Sequence, residues 1–235
     1  MIRSCKLPLL FLACLCLFSG CRMRQGHQKD VMPAEADTLV VNEEPVIVEP
    51  VFEMSLIPAE TEARMRGVSY PEGAEIQLSE LRYMKLSYID FDGVEQVGEM
   101  ICNQAIAQDL LDIFRALYEA RYPIRSIRLI DEFGGDDVAS MEADNTSCFN
   151  YRVVAGTKTL SKHAKGLAVD VNPLENPYVR SSEVSPPAGA PYADRSKEFP
   201  HKIDTDDLCY RLFMEHGFTW GGSWRTVKDY QHFQK

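Results

Sequence analysis

The sequence lacks the short motifs that mark several common enzyme classes. Its 235 residues contain no GxSxG, Walker, GxGxxG or HExxH pattern. Serine hydrolase, nucleotide-binding and gluzincin interpretations therefore have no support. There is also no CxxC pair or Cys–His cluster, so a cysteine-rich zinc site is not indicated. Any chemistry must come from a different arrangement of side chains.

Positive charge is scarce relative to negative charge. The chain has 25 Lys and Arg against 35 Asp and Glu, a formal net charge of −10 at pH 7. Binding to phosphate backbones needs clustered Lys and Arg side chains. We therefore expect no nucleic-acid partner.

A short apolar run stands at the start of the chain. Arg3 and Lys6 precede Leu7–Phe18, which is too short to span a bilayer as a stable helix. Ser19, Gly20 and Cys21 follow, and the pattern resembles a bacterial lipoprotein signal. We predict a signal peptide over residues 1–20 and a lipid on Cys21, which would anchor the chain to a bacterial membrane with its domain in the periplasm. The alternative is an ordinary secretory signal with a chance cysteine.

The segment over residues 21–60 is rich in acids and prolines. Pro45 and Pro50 interrupt each candidate strand, and no helical or alternating period lasts. This composition predicts a flexible acidic tether, with a short edge strand over residues 46–48 as the alternative. The domain then covers residues 61–235, enough to bury a core of its own. We expect it to act as a monomer.

The predicted domain keeps three cysteines, Cys102, Cys148 and Cys209. Because three is an odd number, at most one disulfide can form among them. The alternative is that all three are free and buried, as small hydrophobic side chains.

The patterning of the domain predicts an α+β fold. A β-rich run over residues 81–91 meets a second run over 94–101 at Asp92-Gly93, typical of a hairpin. Apolar residues at helical spacing predict a helix between Asn103 and Arg121. The remaining elements are strands over residues 124–130, 149–154 and 167–172, and a helix capped by Thr205 or Asp204 that ends at His216. The Pro- and Ser-rich residues 173–200 predict a surface excursion over the site.

The run from Ser161 to Pro173 places a histidine near a carboxylate. In a strand, Val169 and Val171 would face the core and Asp170 the opposite side, where a ligand suits a cleft. His163 lies an odd number of residues earlier, so one continuous strand would turn it the wrong way. A turn at Gly166 can bring His163 and Asp170 together.

A second acid–histidine pair, Asp229 and His232, stands close to the C-terminal end of the sequence. Two histidines and one carboxylate form the ligand set of a catalytic zinc site, which leaves a position for water. Asp229 is then either a general base or a residue that orients a ligand. The pattern indicates metal-assisted hydrolysis.

Both motifs resemble those of the M15 family of zinc metallopeptidases. The family pattern Ser-x-His-x-x-Gly-x-Ala-x-Asp is matched at positions 161–170, and the terminal acid-x-x-His is matched at positions 229–232. The resemblance implies the D-alanyl-D-alanine carboxypeptidase-like (Hedgehog/DD-peptidase) fold, in which a mixed antiparallel sheet is flanked by helices.

The resemblance also assigns roles to individual residues. One zinc ion would be held by His163, Asp170 and His232, and Asp229 would be the catalytic base. Arg152 matches the arginine that polarises the scissile carbonyl, although a salt bridge to the loop at residues 136–137 is the alternative. Ser161 would hydrogen-bond near the ligands or the substrate, or simply form a turn.

The expected function is hydrolysis of peptide bonds in peptidoglycan stem peptides. Cleavage of the D,D-carboxypeptidase or the L-Ala-D-Glu endopeptidase type fits the resemblance, with aspartate at position 229 favouring the second. One rival is a non-catalytic peptidoglycan-binding module that keeps the fold. Another is the same machinery acting on a different small peptide.

Overall fold

The computed structural model describes residues 49–154 and 156–235. The predicted signal peptide, the lipidation site Cys21 and the tether up to residue 48 lie outside the described residues. Within the described ranges, no helix is both long enough and apolar enough to cross a membrane.

The core is built on the hairpin that the sequence predicts. Strands β2 (Leu81–Ile89) and β3 (Glu95–Asn103) pair antiparallel along their whole length. Gly93 supplies a positive φ of 78° in the connecting turn, which a side chain would disfavour. Helix α2 (Ala107–Glu119) packs its buried apolar face on this hairpin. It begins four residues after Asn103, whose side chain accepts a hydrogen bond from the Ala105 N–H in the preceding turn.

A third strand extends this sheet from the segment predicted to be a tether. Strand β1 (Phe52–Ser55) pairs antiparallel with β2, and helix α1 (Ala59–Met65) follows it. The Val51 N–H and the Val51 carbonyl both bond to Ser87, and the Phe52 ring packs edge-on against Tyr118. The sequence-based boundary between residues 60 and 61 thus falls after β1, which already belongs to this sheet, and inside helix α1.

The middle of the domain has less regular structure than the sequence predicts. Strand β4 covers only Ser126–Ile127 and pairs in parallel with β5 (Asn145–Thr146). Helix α3 (Asp137–Glu142) lies between these two strands in the chain. The strand predicted over residues 149–154 is wrong. Its backbone bonds instead to separate segments, with the Phe149 N–H donating to Ile101 and the Tyr151 N–H to Ser69.

Two small antiparallel sheets complete the domain and carry the candidate site. One has the order β6-β11-β9 and the other the order β10-β7-β8. Their strands are β6 (Ala168–Asp170), β7 (Tyr178–Arg180), β8 (Glu183–Ser185), β9 (Thr219–Trp220), β10 (Lys228–Asp229) and β11 (His232–Gln234). Helix α4 (Leu208–Glu215) lies between β8 and β9 in the chain. Its N-cap is Asp207, not Thr205 or Asp204, because the Asp207 carboxylate accepts the Cys209 and Tyr210 N–H groups.

The elements are mixed without a repeating order, so the α+β prediction is confirmed. Over the described ranges the strands form four small sheets rather than one large mixed sheet. In the same ranges Cys102, Cys148 and Cys209 are free and buried, as the alternative to a disulfide predicted.

Candidate metal centre

Strand β6 presents Asp170 as the alternation of its sequence predicts. Val169 and Val171 are fully buried in the main hydrophobic core. Asp170 projects from the other side of the strand and retains 6% exposure. The strand thereby holds one carboxylate on the side opposite the two core valines.

Gly166 brings His163 to Asp170. His163 lies in a single 3-10 turn (His163–Lys165), and Gly166 ends this turn in the left-handed conformation, with φ 64°. A Cβ atom at Gly166 would come 2.7 Å from the backbone nitrogen of Asn103, so a larger residue would also clash. Because the chain turns at this glycine, His163 and Asp170 do not lie on one continuous strand. Their odd spacing therefore does not place their side chains on opposite faces.

His232 reaches the same point from the last strand. In the antiparallel pair β6–β11, His232 is the register partner of Asp170. Directly paired residues of antiparallel strands place their side chains on the same face, close together. Phe233 faces the opposite way and is fully buried in the core, which fixes the strand in this register.

The three side chains converge on one point. His163 Nε2 lies 3.1 Å from Asp170 Oδ2 and 3.1 Å from His232 Nδ1, and His232 Nδ1 lies 3.0 Å from Asp170 Oδ1. All three residues are buried. The structure therefore brings together the three residues that the sequence singles out as metal ligands.

Each imidazole has a hydrogen-bond acceptor for its other nitrogen. His163 Nδ1 lies 2.7 Å from the Cys148 carbonyl oxygen, and His232 Nε2 lies 3.1 Å from Gln234 Oε1. In the neutral ring, which is the form that binds a metal, an N–H donated to these oxygens leaves the lone pair on the nitrogen that faces the cluster. The two rings are thus oriented for coordination.

The cluster couples the charges of its members strongly. Burial alone would raise the pKa of Asp170, but the charges and hydrogen bonds of His163 and His232 hold this pKa far below its usual range. Burial alone would lower the pKa of His232, but its hydrogen bond to Asp170 and the negative charges nearby raise it to about 9. Asp170 is therefore a carboxylate at neutral pH, which is the form that binds metals.

Asp229 lies beside the cluster without belonging to it. Its Oδ1 atom is buried and has no hydrogen-bond partner among the described residues. Burial, with the charge of Asp170, raises the pKa of Asp229 to about 6, while His232 acts in the opposite direction. A buried carboxylate with an unpartnered oxygen and a raised pKa is suited to exchanging protons with a bound ligand.

Arg152 and Ser161 occupy the loop that leads into His163. The Arg152 guanidinium forms an ion pair with Asp137 at 2.8 Å and, within the part of the chain that the structure describes, no hydrogen bond to the three converging side chains. The salt bridge to the loop at residues 136–137, which is the alternative to a catalytic role for Arg152, is therefore present. Ser161 Oγ accepts the backbone N–H of His163 at 3.2 Å, which is the turn-forming role.

Several residues of the site have no role that the sequence assigns to them. The Trp224 ring packs 5.3 Å from the His232 ring, centre to centre. Gly221 lies so close to Asp229 and His232 that a Cβ atom would come 2.8 Å and 3.3 Å from their Cβ atoms. Gln234 could have been found, because it is two residues from His232 and so on the same face of the strand.

The donor set fits a zinc ion. Two imidazole nitrogens and a carboxylate oxygen, each offered by a buried residue, are the protein ligands of several catalytic zinc sites. The unpartnered Asp229 oxygen beside them adds a group that can handle protons. Fold and site together describe an α+β domain in which three buried side chains could hold one metal ion.

Comparison with known families agrees with this class. The M15 peptidase family model described as D-alanyl-D-alanine carboxypeptidase matches residues 155–235, which hold all three candidate ligands and Asp229. The resemblance to M15 peptidases is thereby confirmed over this part of the chain. Neither the curated proteins nor the solved structures give a significant match.

Proposed function

We propose that this protein is a zinc-dependent peptidase that cleaves the peptide stems of peptidoglycan, as a D,D-carboxypeptidase or an L-Ala-D-Glu endopeptidase. The observation that carries the proposal is the convergence of His163, Asp170 and His232 beside the unpartnered carboxylate of Asp229. The family match over residues 155–235 supports a peptide as the substrate. We assign the domain to the Hedgehog/DD-peptidase-like fold on the same grounds.

The three converging residues would hold one Zn²⁺. His163 would bind through Nε2, His232 through Nδ1 and Asp170 through its carboxylate, because these are the atoms that face one another. When bound, zinc supplies a Lewis acid that polarises the scissile carbonyl and acidifies a water molecule. Asp170 contributes the negative charge that offsets part of the charge of the ion.

Asp229 is the proposed general base. Its carboxylate takes a proton from the attacking water and later donates that proton to the amine that leaves. The raised pKa of Asp229 suits both halves of this transfer, because the ideal catalytic pKa lies near the working pH. The protein holds this group in place through strand β10, which pairs with β7 of the 173–200 excursion.

Arg152 is proposed to stabilise the negative charge that develops on the carbonyl oxygen. A guanidinium is permanently charged and needs no proton transfer to act. Its ion pair with Asp137 restricts the side chain, and its Nε atom is buried without a partner among the described residues. Ser161 acts indirectly, by forming the turn that presents His163.

The remaining parts of the proposal concern where the protein acts. We propose that lipidated Cys21 anchors the chain to a bacterial membrane and that the domain acts in the periplasm as a monomer without nucleic acid. The acidic, proline-rich segment before residue 49 would let an anchored enzyme reach an immobile polymer.

The test is cleavage of defined stem peptides by the purified protein with zinc. Mass spectrometry of the products identifies the bond that is cut. We expect release of D-Ala or of an L-Ala fragment by the unaltered protein and none by His163→Ala. Equal release by His163→Ala, or binding to sacculi without any cleavage, would contradict the proposed activity.

A further inference from the structure

We infer that Gln234 is a positioning residue of the metal centre, which accepts the Nε2–H of His232 and so directs the Nδ1 lone pair of that ring at the metal. This inference rests on the zinc site of the proposed function. It concerns a side chain that lies outside both motifs from which the site was predicted.

The strand geometry places Gln234 where this role requires it. His232 and Gln234 are two residues apart on β11, so their side chains share a face, and Phe233 between them is buried in the core. The register partner of Gln234 on β6 is Ala168, a fully buried small residue. The carboxamide therefore has room to bend back to the imidazole, 3.1 Å from Nε2.

The hydrogen bond decides which nitrogen of His232 is available. A neutral imidazole carries its proton on one nitrogen and a lone pair on the other. His232 Nδ1 already lies 3.0 Å from Asp170 Oδ1 and 3.1 Å from His163 Nε2. With an ion bound between Nδ1, Asp170 and His163, the one remaining proton of the ring is at Nε2, where Gln234 accepts it.

The two ligand histidines differ in how they are oriented. His163 donates to a backbone carbonyl, that of Cys148, which no substitution can remove. His232 depends on a side chain. Of the two ligand histidines, His232 is therefore the one whose orienting hydrogen bond can be removed by substituting its acceptor residue, Gln234.

A neutral acceptor also suits the charge of the site. Asp170 and Asp229 already bring two carboxyl groups close to the centre. A carboxamide orients the ring without adding a third. Glutamate at position 234 would still accept the N–H, whereas leucine, of similar size, would not.

The experiment measures zinc affinity by competition with a chelator in the full chain. Removing the partner of a ligand histidine typically weakens metal binding about 10- to 100-fold. We expect a loss of that size for Gln234→Leu and zinc affinity within about threefold of wild type for Gln234→Glu. If Gln234→Leu does not fold, Gln234→Met serves in its place, because the thioether is a poor acceptor.

Thr219→Val is the matched control. Thr219 Oγ1 donates a hydrogen bond to the backbone carbonyl oxygen of Gln234 at 3.1 Å. This variant therefore removes a hydrogen bond that supports the same strand, and it leaves the contact between the Gln234 side chain and the imidazole in place. We expect it to bind zinc like the unaltered protein. A second readout is the exchange of the His232 Nε2–H with solvent, observed by NMR in the zinc-loaded protein: slow in the unaltered protein and faster in Gln234→Leu.

Two results would overturn the inference alone. One is Gln234→Leu that binds zinc as tightly as the unaltered protein and keeps a slow Nε2–H. The other is Thr219→Val that loses as much affinity as Gln234→Leu, because strand support would then explain the effect. A failure of the unaltered protein to bind zinc would overturn the proposed function as well.

Discussion

At the scale of single residues, Asp229 differs from the three converging side chains because its buried Oδ1 atom has no hydrogen-bond partner among the described residues. We expect Asp229→Asn to lower kcat about 10²- to 10⁴-fold, because an amide of the same shape cannot take up the proton. Zinc affinity should change little, since Asp229 is not among the ligands. Steady-state kinetics with a stem peptide, together with metal analysis, checks both expectations.

Asp206→Asn provides the control for this change, because Asp206 is exposed in the turn before α4 and is not among the residues that contact the three ligands. It should leave kcat unaltered. Loss of zinc from Asp229→Asn would instead make Asp229 a ligand, and unchanged kcat would remove it from the proton transfer.

Gly221 is the residue at which a single methyl group should disturb the centre most. A Cβ atom there would meet the Asp229 carbonyl oxygen at 2.6 Å, and backbone atoms cannot move aside cheaply. We expect Gly221→Ala to lower the free energy of unfolding by about 1–3 kcal/mol, the usual cost of overpacking. Zinc affinity should fall too, since His232 is displaced with the same backbone.

Urea denaturation and chelator competition measure these two effects of Gly221→Ala. Stability and zinc affinity equal to those of the unaltered protein would mean that the segment around Gly221 can shift freely, contrary to the tight packing seen here.

The ligands could be predicted from the sequence because each carries a distinctive side chain at a distinctive spacing. The supports of those ligands could not. The carbonyl oxygen that orients His163 belongs to the backbone of Cys148, so no side chain marks it in the sequence. It reaches His163 because the neighbouring residue, Ser147, pairs with Asp170 of β6. The sequence does predict the Arg152–Asp137 ion pair as an alternative role for Arg152, because both charges stand out in it.

At the scale of elements, two buried carboxyl groups link the segment after α3 to the segment after β6. Asp144 and Glu175 are 3% and 7% exposed. Burial, together with the nearby Asp144, raises the pKa of Glu175 to about 8, whereas Arg125 acts weakly in the opposite direction. The folded state therefore holds a proton that the unfolded chain releases near pH 4.5.

This proton makes stability depend on pH. A raised pKa in the folded state gives stabilisation that is complete below the unfolded pKa and is lost as the pH rises through the folded value. We expect the free energy of unfolding to decline between about pH 5 and pH 8 for this reason. Denaturation of Glu175→Gln across the same range should show a weaker decline, and an identical pH profile would exclude Glu175 as the source.

Regular elements with strong local patterns could be predicted, and those held by distant partners could not. The β2–β3 hairpin and helices α2 and α4 follow from alternation and helical spacing within one segment. The sequence does not predict strand β1 because all four of its residues are partly or fully exposed, so no alternation of buried and exposed side chains marks it. Its pairing depends on β2, which lies more than 25 residues further along the chain.

At the scale of the whole molecule, the centre joins segments that are distant in sequence. His163 and His232 are separated by 69 residues, so a bound ion would cross-link two sheet strands and the turn before them. A ligand that binds only the folded state stabilises it, by about 2.7 kcal/mol at a concentration 100 times its Kd. We expect zinc to raise the Tm of the unaltered protein.

His163→Ala should abolish this rise, while its Tm without zinc should stay measurable as a reference. Calorimetry with and without added zinc makes the comparison. A zinc-dependent rise of equal size in His163→Ala would place the bound ion elsewhere on the molecule.

Zinc K-edge X-ray absorption of the loaded protein shows whether two histidines and one aspartate form a single zinc centre. We expect two imidazole nitrogens at about 2.0–2.1 Å, with oxygen as the remaining scatterers and no sulfur. A sulfur shell at about 2.3 Å, or a shell of oxygens without imidazole scattering, would contradict it.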